Sequence, residues 1–140
     1  MKLVINKCCG EFSLSEKGVR RYAELKGLPL YVEQDPRFSI IKTYWTVPPE
    51  KRPEESDGKW ASWTTEERKA HNEAWEKATI SNRDIPRDDK LLVQLVEELG
   101  MDANGDCADL KIVEVPDGTE WTIEEYDGRE WVAETHQTWS

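Results

Sequence analysis

Glu120-Trp121-Thr122-Ile123-Glu124-Glu125-Tyr126-Asp127-Gly128-Arg129-Glu130-Trp131-Val132-Ala133-Glu134 reads as two strands joined at Asp127-Gly128. That dipeptide is the signature of a type I′ turn, whose backbone twist matches the twist of the strands it connects. A two-residue loop also fixes register. Tyr126 falls opposite Arg129, Ile123 opposite Val132 and Trp121 opposite Glu134. Trp121, Ile123 and Val132 therefore share one face, assigned to the core. Glu124, Tyr126, Arg129 and Trp131 share the other. Two aromatic rings beside an arginine on a nominally outer face need a partner, which can be a helix, another subunit or a planar ligand.

Upstream of this hairpin, Leu110 to Val115 is a strand closed by Pro116-Asp117-Gly118, and Asn104-Gly105 sits in a tight polar turn. Before it, Leu91, Leu92, Leu95, Val96 and Leu99 form the broad apolar face of the strongest helix, which Gly100 stops. Thr64 to Ala78 is a second helix, capped by Thr64 or Thr65. Its apolar stripe is only Ala70, Ala74, Trp75 and Ala78, so it lies on the periphery or pairs with another subunit. Val47 to Trp63, with Pro48, Pro49, Pro53 and many charges, reads as an exposed loop. Leu28 to Glu33 and Phe38 to Val47 form an antiparallel pair about Asp35-Pro36-Arg37. At the start, Leu3-Val4-Ile5 is a buried strand. It turns through Cys8-Cys9-Gly10-Glu11-Phe12 into a helix from Ser15 to Lys26, with Val19, Tyr22 and Ala23 on one face and Gly27 as its stop. Together these elements predict an α+β fold, a mostly antiparallel sheet of about five or six strands with two or three helices packed on it. A chain of 140 residues is expected to form a single domain over 1–140, with an exposed proline- and acid-rich loop at about 47–63.

The formal net charge is -10, with 34% charged and 37% hydrophobic residues. Such a balance argues against DNA, RNA and anionic membrane surfaces as partners, because neutralising phosphates needs a basic face. A small phosphate ligand stays compatible, since a few local cations and backbone N–H groups suffice. The three cysteines, Cys8, Cys9 and Cys107, are odd in number and lack C-x-x-C spacing, and the two histidines are too few for a zinc site. Adjacent Cys8 and Cys9 cannot bridge each other without strain. Buried free thiols in a reducing cytoplasm are expected, and the apolar run at Leu3-Val4-Ile5 is too short for a signal peptide or membrane span. Seven tryptophans in so polar a chain are hard to hide in one core, which predicts a homo-oligomer with tryptophan at the contact.

Two surfaces can carry chemistry. A strand turning through glycine into a helix N-terminus offers free backbone N–H groups and the positive end of a dipole. Asn6, Lys7, Gly10, Ser13, Ser15, Lys17 and Arg21 make that loop a candidate phosphate or nucleotide cradle. Glu11 opposes an anion there, the pattern is neither a P-loop nor G-x-G-x-x-G, and an ordinary capped strand–helix connection accounts for the same residues. The second surface is the hairpin face of Tyr126, Arg129 and Trp131, where bases stack on aromatic rings and arginine adds cation–π or phosphate pairing. Subunit contact accounts for those residues at least as well, since aromatics and arginine also anchor protein interfaces, and it is the favoured reading of this face. The adjacent carboxylates Asp88-Asp89, Glu97-Glu98 and Glu124-Glu125 point in different directions and read as solvated faces. No Ser-His-Asp or Cys-His grouping can be argued, so an enzyme is the less favoured class, and no metal or cofactor is implied.

Lys2-Leu3-Val4-Ile5-Asn6-Lys7-Cys8-Cys9-Gly10-Glu11-Phe12-Ser13-Leu14-Ser15 resembles the start of a widespread family of small phage and prophage proteins. So do Arg83-Asp84-Ile85-Pro86-Arg87-Asp88-Asp89, the run from Leu92 to Gly100, Ala103-Asn104-Gly105, the run from Leu110 to Gly118, Glu124-Glu125-Tyr126-Asp127-Gly128, His136 and Trp139. The likeness covers about half of the chain, and such relatives vary between about Leu28 and Ile80. The family usually has a second glycine where Glu11 stands and an arginine where Gln137 stands. Both departures reduce the permissive or positive character of an anion site. The resemblance implies a protein that counters host defence, specifically an oligomeric sponge that sequesters the cyclic nucleotide signals of CBASS or Thoeris immunity in the host cytoplasm. An acidic protein-binding inhibitor or adaptor of a host protein is the alternative, and a small nucleotide hydrolase is a further one.

Overall fold

The computed structural model describes residues 1–38, 41–54 and 58–134. Its elements are β1 (Lys2–Asn6), α1 (Glu16–Lys26), β2 (Tyr31–Gln34), β3 (Lys42–Trp45), α2 (Thr65–Ala78), α3 (Lys90–Leu99), β4 (Leu110–Glu114), β5 (Trp121–Tyr126) and β6 (Arg129–Glu134). The fold is α+β, as expected, and every strand pair is antiparallel. The strands do not make one sheet, however. They pair two by two, β1 with β4, β2 with β3 and β5 with β6.

The reason lies on the free edge of β1. Val4 N–H donates to the Arg87 carbonyl at 2.9 Å. Asn6 N–H donates to Glu130 Oε1 at 2.8 Å. A loop carbonyl and a carboxylate thus take the two donors that a neighbouring strand would need, so β6 approaches β1 through a side chain instead of extending its ladder.

Contacts divide the chain into two compact units, Met1–Lys26 with Asn82–Ser140, and Gly27–Ser81. In the first, discontinuous unit, Leu3, Val4, Ile5, Val19, Leu92 and Leu95 are at most 1% exposed. Each such side chain contributes about 1.5–3 kcal/mol by leaving water. Helix α3 begins where Asp89 caps it, accepting from Leu91 N–H at 2.8 Å and Leu92 N–H at 3.2 Å. The other Asp89 oxygen accepts from the Tyr22 hydroxyl at 2.9 Å, which ties α1 to the start of α3. Burial, reinforced by Asp89, raises the Tyr22 phenol above its ordinary range. The hairpin has the anticipated register, Tyr126 opposite Arg129, Ile123 opposite Val132 and Trp121 opposite Glu134. Positive φ at Asp127 (51°) and Gly128 (84°) identifies the type I′ turn.

The second unit is organised by aromatic rings. Trp45 is buried, and its ring lies 4.7 Å from that of Trp75. His71 sits among Trp60, Trp63 and Trp75, at centroid distances of 6.1, 5.1 and 5.9 Å. Four of the seven tryptophans are accounted for in this way within a single chain. Thr64 caps α2 through a full capping box with Glu67. The expected loop at 47–63 contains short 3-10 turns at Pro49–Lys51 and Trp60–Ser62. It is also not free throughout. The Arg52 guanidinium stacks 4.8 Å from the Trp45 ring centre and pairs with Glu33 at 2.8 Å, an interaction open to arginine because its planar cation is weakly hydrated.

Candidate functional site

The helix-start loop is held from within the fold. Asn6, expected to face a ligand, is fully buried. Its Nδ2 donates to the carbonyls of Cys8 (3.0 Å), Gly10 (3.1 Å) and Gly128 (2.9 Å). Its Oδ1 accepts from Cys8 N–H at 3.2 Å and Asp109 N–H at 2.9 Å. One amide therefore joins the first loop, the segment before β4 and the hairpin turn. Gly10 touches the backbone of Cys107, and Gly128 touches that of Gly10, so closely that a Cβ at either position would overlap a carbonyl oxygen.

The remaining residues of that loop are committed too. Ser15 Oγ accepts from Gly18 N–H at 3.0 Å and donates to the Asp102 carbonyl, so it serves as the helix cap. Lys17 pairs with Asp102 at 3.2 Å. Arg21 pairs with Glu98 at 2.7 Å and Glu24 at 3.1 Å. The Ser13 hydroxyl lies 3.5 Å from the Asp106 carbonyl, and Glu11 pairs with Arg83 at 2.8 Å. These contacts favour the capped connection over the cradle as the account of Ser13, Ser15, Lys17 and Arg21. The Arg21 guanidinium holds the Glu98 carboxyl well below the usual range, at about 2.

Two cations at the same corner have no ion-pair partner among the described residues, Lys7 and Arg129, and both are exposed. Lys7 follows the buried Asn6. Arg129 lies between Gly128, whose carbonyl Asn6 engages, and Glu130, whose carboxylate accepts from Asn6 N–H. The tether that closes the loop thus also sets the position of the hairpin face. On that face Tyr126 is 77% exposed and Trp131 43% exposed. Trp131 Nε1 donates to Glu124 Oε2, its cross-strand neighbour, at 3.0 Å.

Sequence reasoning passed over the pair that supports this face. Glu130 is buried, and both its oxygens accept from the Arg87 guanidinium. Arg87 in turn lies 3.7 Å above the ring centre of the buried Phe12. A signal for Glu130 existed, because it stands two residues before Val132 and so falls on the inner face of β6. Arg87 had none, since its partners are 43 and more residues away. The thiols lie nearer the surface than their sequence suggests. Cys9 and Cys107 are exposed and Cys8 is half-buried, where buried thiols were expected. Their segments are turns whose backbones, and not their side chains, face inward.

Among the described residues no group of three or more His, Cys, Asp or Glu side chains could hold a metal ion. Nor is any helix among them long and apolar enough to cross a membrane. His136, Gln137 and Trp139, which carry part of the family resemblance, lie outside the described residues. No protein-family model, curated protein or solved structure matches the chain.

Proposed function

We propose that this chain binds an anionic, planar ligand of the cyclic-nucleotide class and holds it without turnover, with the outer face of the β5–β6 hairpin as the stacking surface. The observation that carries this reading is the cross-strand pair of Tyr126 and Arg129, an open aromatic ring beside a cation that no carboxylate among the described residues neutralises. A base stacked on the ring contributes about 1–3 kcal/mol. A phosphate on the guanidinium adds about 1.5–3 kcal/mol as a charge-assisted hydrogen bond. Lys7 at the same corner offers a second contact. The resemblance to phage and prophage proteins supplies the class of ligand, an immune signal that a sponge would sequester as a homo-oligomer. Trp131 is the tryptophan of this face available for a subunit contact.

The test is to incubate the protein with a panel of cyclic di- and trinucleotides, measure depletion, then heat-denature it and analyse what is released. Recovery of intact nucleotide is the expected result. Altered nucleotide would make the protein a hydrolase. No depletion would leave the acidic surface as the working part, in an inhibitor or adaptor of a host protein. Arg129→Ala is expected to weaken binding at least tenfold, about 1.4 kcal/mol. Lys17→Ala should leave affinity unchanged, because Lys17 is already paired with Asp102. The reverse pattern would return the anion to the helix-start loop.

A further inference from the structure

Antiparallel strands alternate between residue pairs that exchange backbone hydrogen bonds and pairs that do not. In the β1–β4 ladder this phase is set at both ends. Met1 and Val115 exchange theirs at 2.9 Å in each direction, and Lys7 N–H donates to the Asp109 carbonyl at 2.8 Å. Lys111, Val113 and Val115 therefore turn their N–H and C=O groups towards β1. Leu110, Ile112 and Glu114 turn theirs away from it. This outer edge of β4 is closed at its two ends. Leu110 N–H donates to Asn104 Oδ1 at 2.9 Å. Pro116 has no N–H, and its carbonyl accepts from Thr119 N–H at 3.2 Å and from the Thr119 hydroxyl at 2.6 Å. Between them, the outward N–H and C=O groups of Ile112 and Glu114 have no partner among the described residues. The edge of β1 is treated differently, since the Arg87 carbonyl and the Glu130 carboxylate take its outward donors.

We propose that the outer edge of β4 is a homodimer contact, on which β4 of a second copy lies antiparallel about a two-fold axis at Val113. In this register Ile112 and Glu114 of the second copy exchange both backbone hydrogen bonds, and by symmetry so do Glu114 and Ile112 of the second copy. Val113 meets Val113 of the second copy on the axis, as an apolar pair with Cα atoms about 4.5 Å apart. Leu110, whose donor is taken, falls opposite Pro116 of the second copy, which has no donor and whose carbonyl is taken. The two closed ends match each other because the occupant is another β4. Neighbouring registers fail. With the axis at Ile112, Asn104 Oδ1 occupies the place of the incoming Glu114 carbonyl. With the axis at Lys111 two ammonium groups face each other, and with the axis at Glu114 two carboxylates do. In the favoured register the Glu114 carboxylates lie on a diagonal about 7–8 Å apart, and each has Lys2 opposite it on its own β1. Leu110, Ile112, Val113 and Val115 are all only half-buried in the single chain, as befits an edge that a second copy covers. Pairing converts two-stranded ladders, which are marginal alone, into a sheet of four strands. This inference does not depend on what the hairpin face binds.

The experiment combines sedimentation equilibrium of the full-length protein with residue-resolved amide exchange by NMR along a dilution series. A dimer at micromolar concentration is expected. As it dissociates, the Ile112 and Glu114 amides should exchange at least tenfold faster, whereas the Leu110 amide, bonded within its own chain, should keep its rate. Glu114→Pro removes a donor that faces away from β1, so the ladder keeps its hydrogen bonds, and the variant is expected to be a monomer with the wild-type near-UV circular dichroism. The exchange measurement needs no variant. A wild type that stays monomeric throughout the series would overturn the proposal. So would a dimer whose Ile112 and Glu114 amides exchange at rates independent of dilution, or a folded Glu114→Pro that still dimerises.

Discussion

At the scale of single residues, Asn6 matters most to the discontinuous unit. Its buried amide makes five hydrogen bonds, all to backbone groups and two of them to Gly10 and Gly128. Alanine at this position leaves several buried carbonyl and N–H groups without partners, each costing about 1–3 kcal/mol where water cannot enter. We expect Asn6→Ala to lose about 3 kcal/mol, seen as a lower urea midpoint at unchanged slope. An equally stable variant would mean that water replaces the amide and that the corner is looser than its hydrogen bonds suggest. None of this was legible in the sequence. An asparagine after a short apolar strand reads as a turn residue, and two of its partners are separated from it by 103 and 122 positions. The same residue was a ligand candidate for a sound local reason, and long-range packing gave it another use.

Elements were read more successfully where their signals are local. Asp127-Gly128 specifies its own turn and therefore the register of β5 and β6, and Thr64 with Glu67 specifies the start of α2. The division into strand pairs was hidden because it depends on what occupies the edge of β1, and Glu130 lies 124 residues from Asn6. Contact between α1 and α3 has an electrostatic component with a predictable pH signature. Arg21 on α1 holds Glu98 on α3 at a pKa of about 2, below its ordinary 4.5. A carboxyl depressed in the folded state stabilises above its unfolded pKa, and that contribution fades as pH falls from about 4.5 towards 2. Denaturant midpoints measured across this window should fall less steeply in Glu98→Gln than in the wild type. Parallel acid limbs would assign the acid sensitivity to other carboxylates. Both partners are partly exposed, so added salt should shrink the difference.

For the whole molecule, the discontinuity of the first unit controls the response to a cut in the segment around 47–63. Lys51 and Lys59 are exposed there, whereas Arg52 is shielded by Trp45 and Glu33. Limited trypsin treatment should cleave after Lys51 or Lys59 first, and the two fragments should co-elute without denaturant. They stay together because β1 and α1 precede the cut while β4, β6 and α3 follow it, and the ladder and helix contact join the two sides. Fragments that separate on a sizing column would show that those contacts cannot hold without chain continuity. The same arrangement also imposes an order in time during synthesis. The ribosome finishes Gly27–Ser81 before it has made any of Asn82–Ser140, so the tryptophan-rich unit has its complete sequence while β1 still waits for β4. At about 5–20 residues per second, Asn6 spends several seconds without Asp109 or Gly128. Through that interval β1, the most deeply buried strand of the folded chain, is an unpaired edge on a nascent polypeptide, and its brevity is its main protection against pairing with a neighbour.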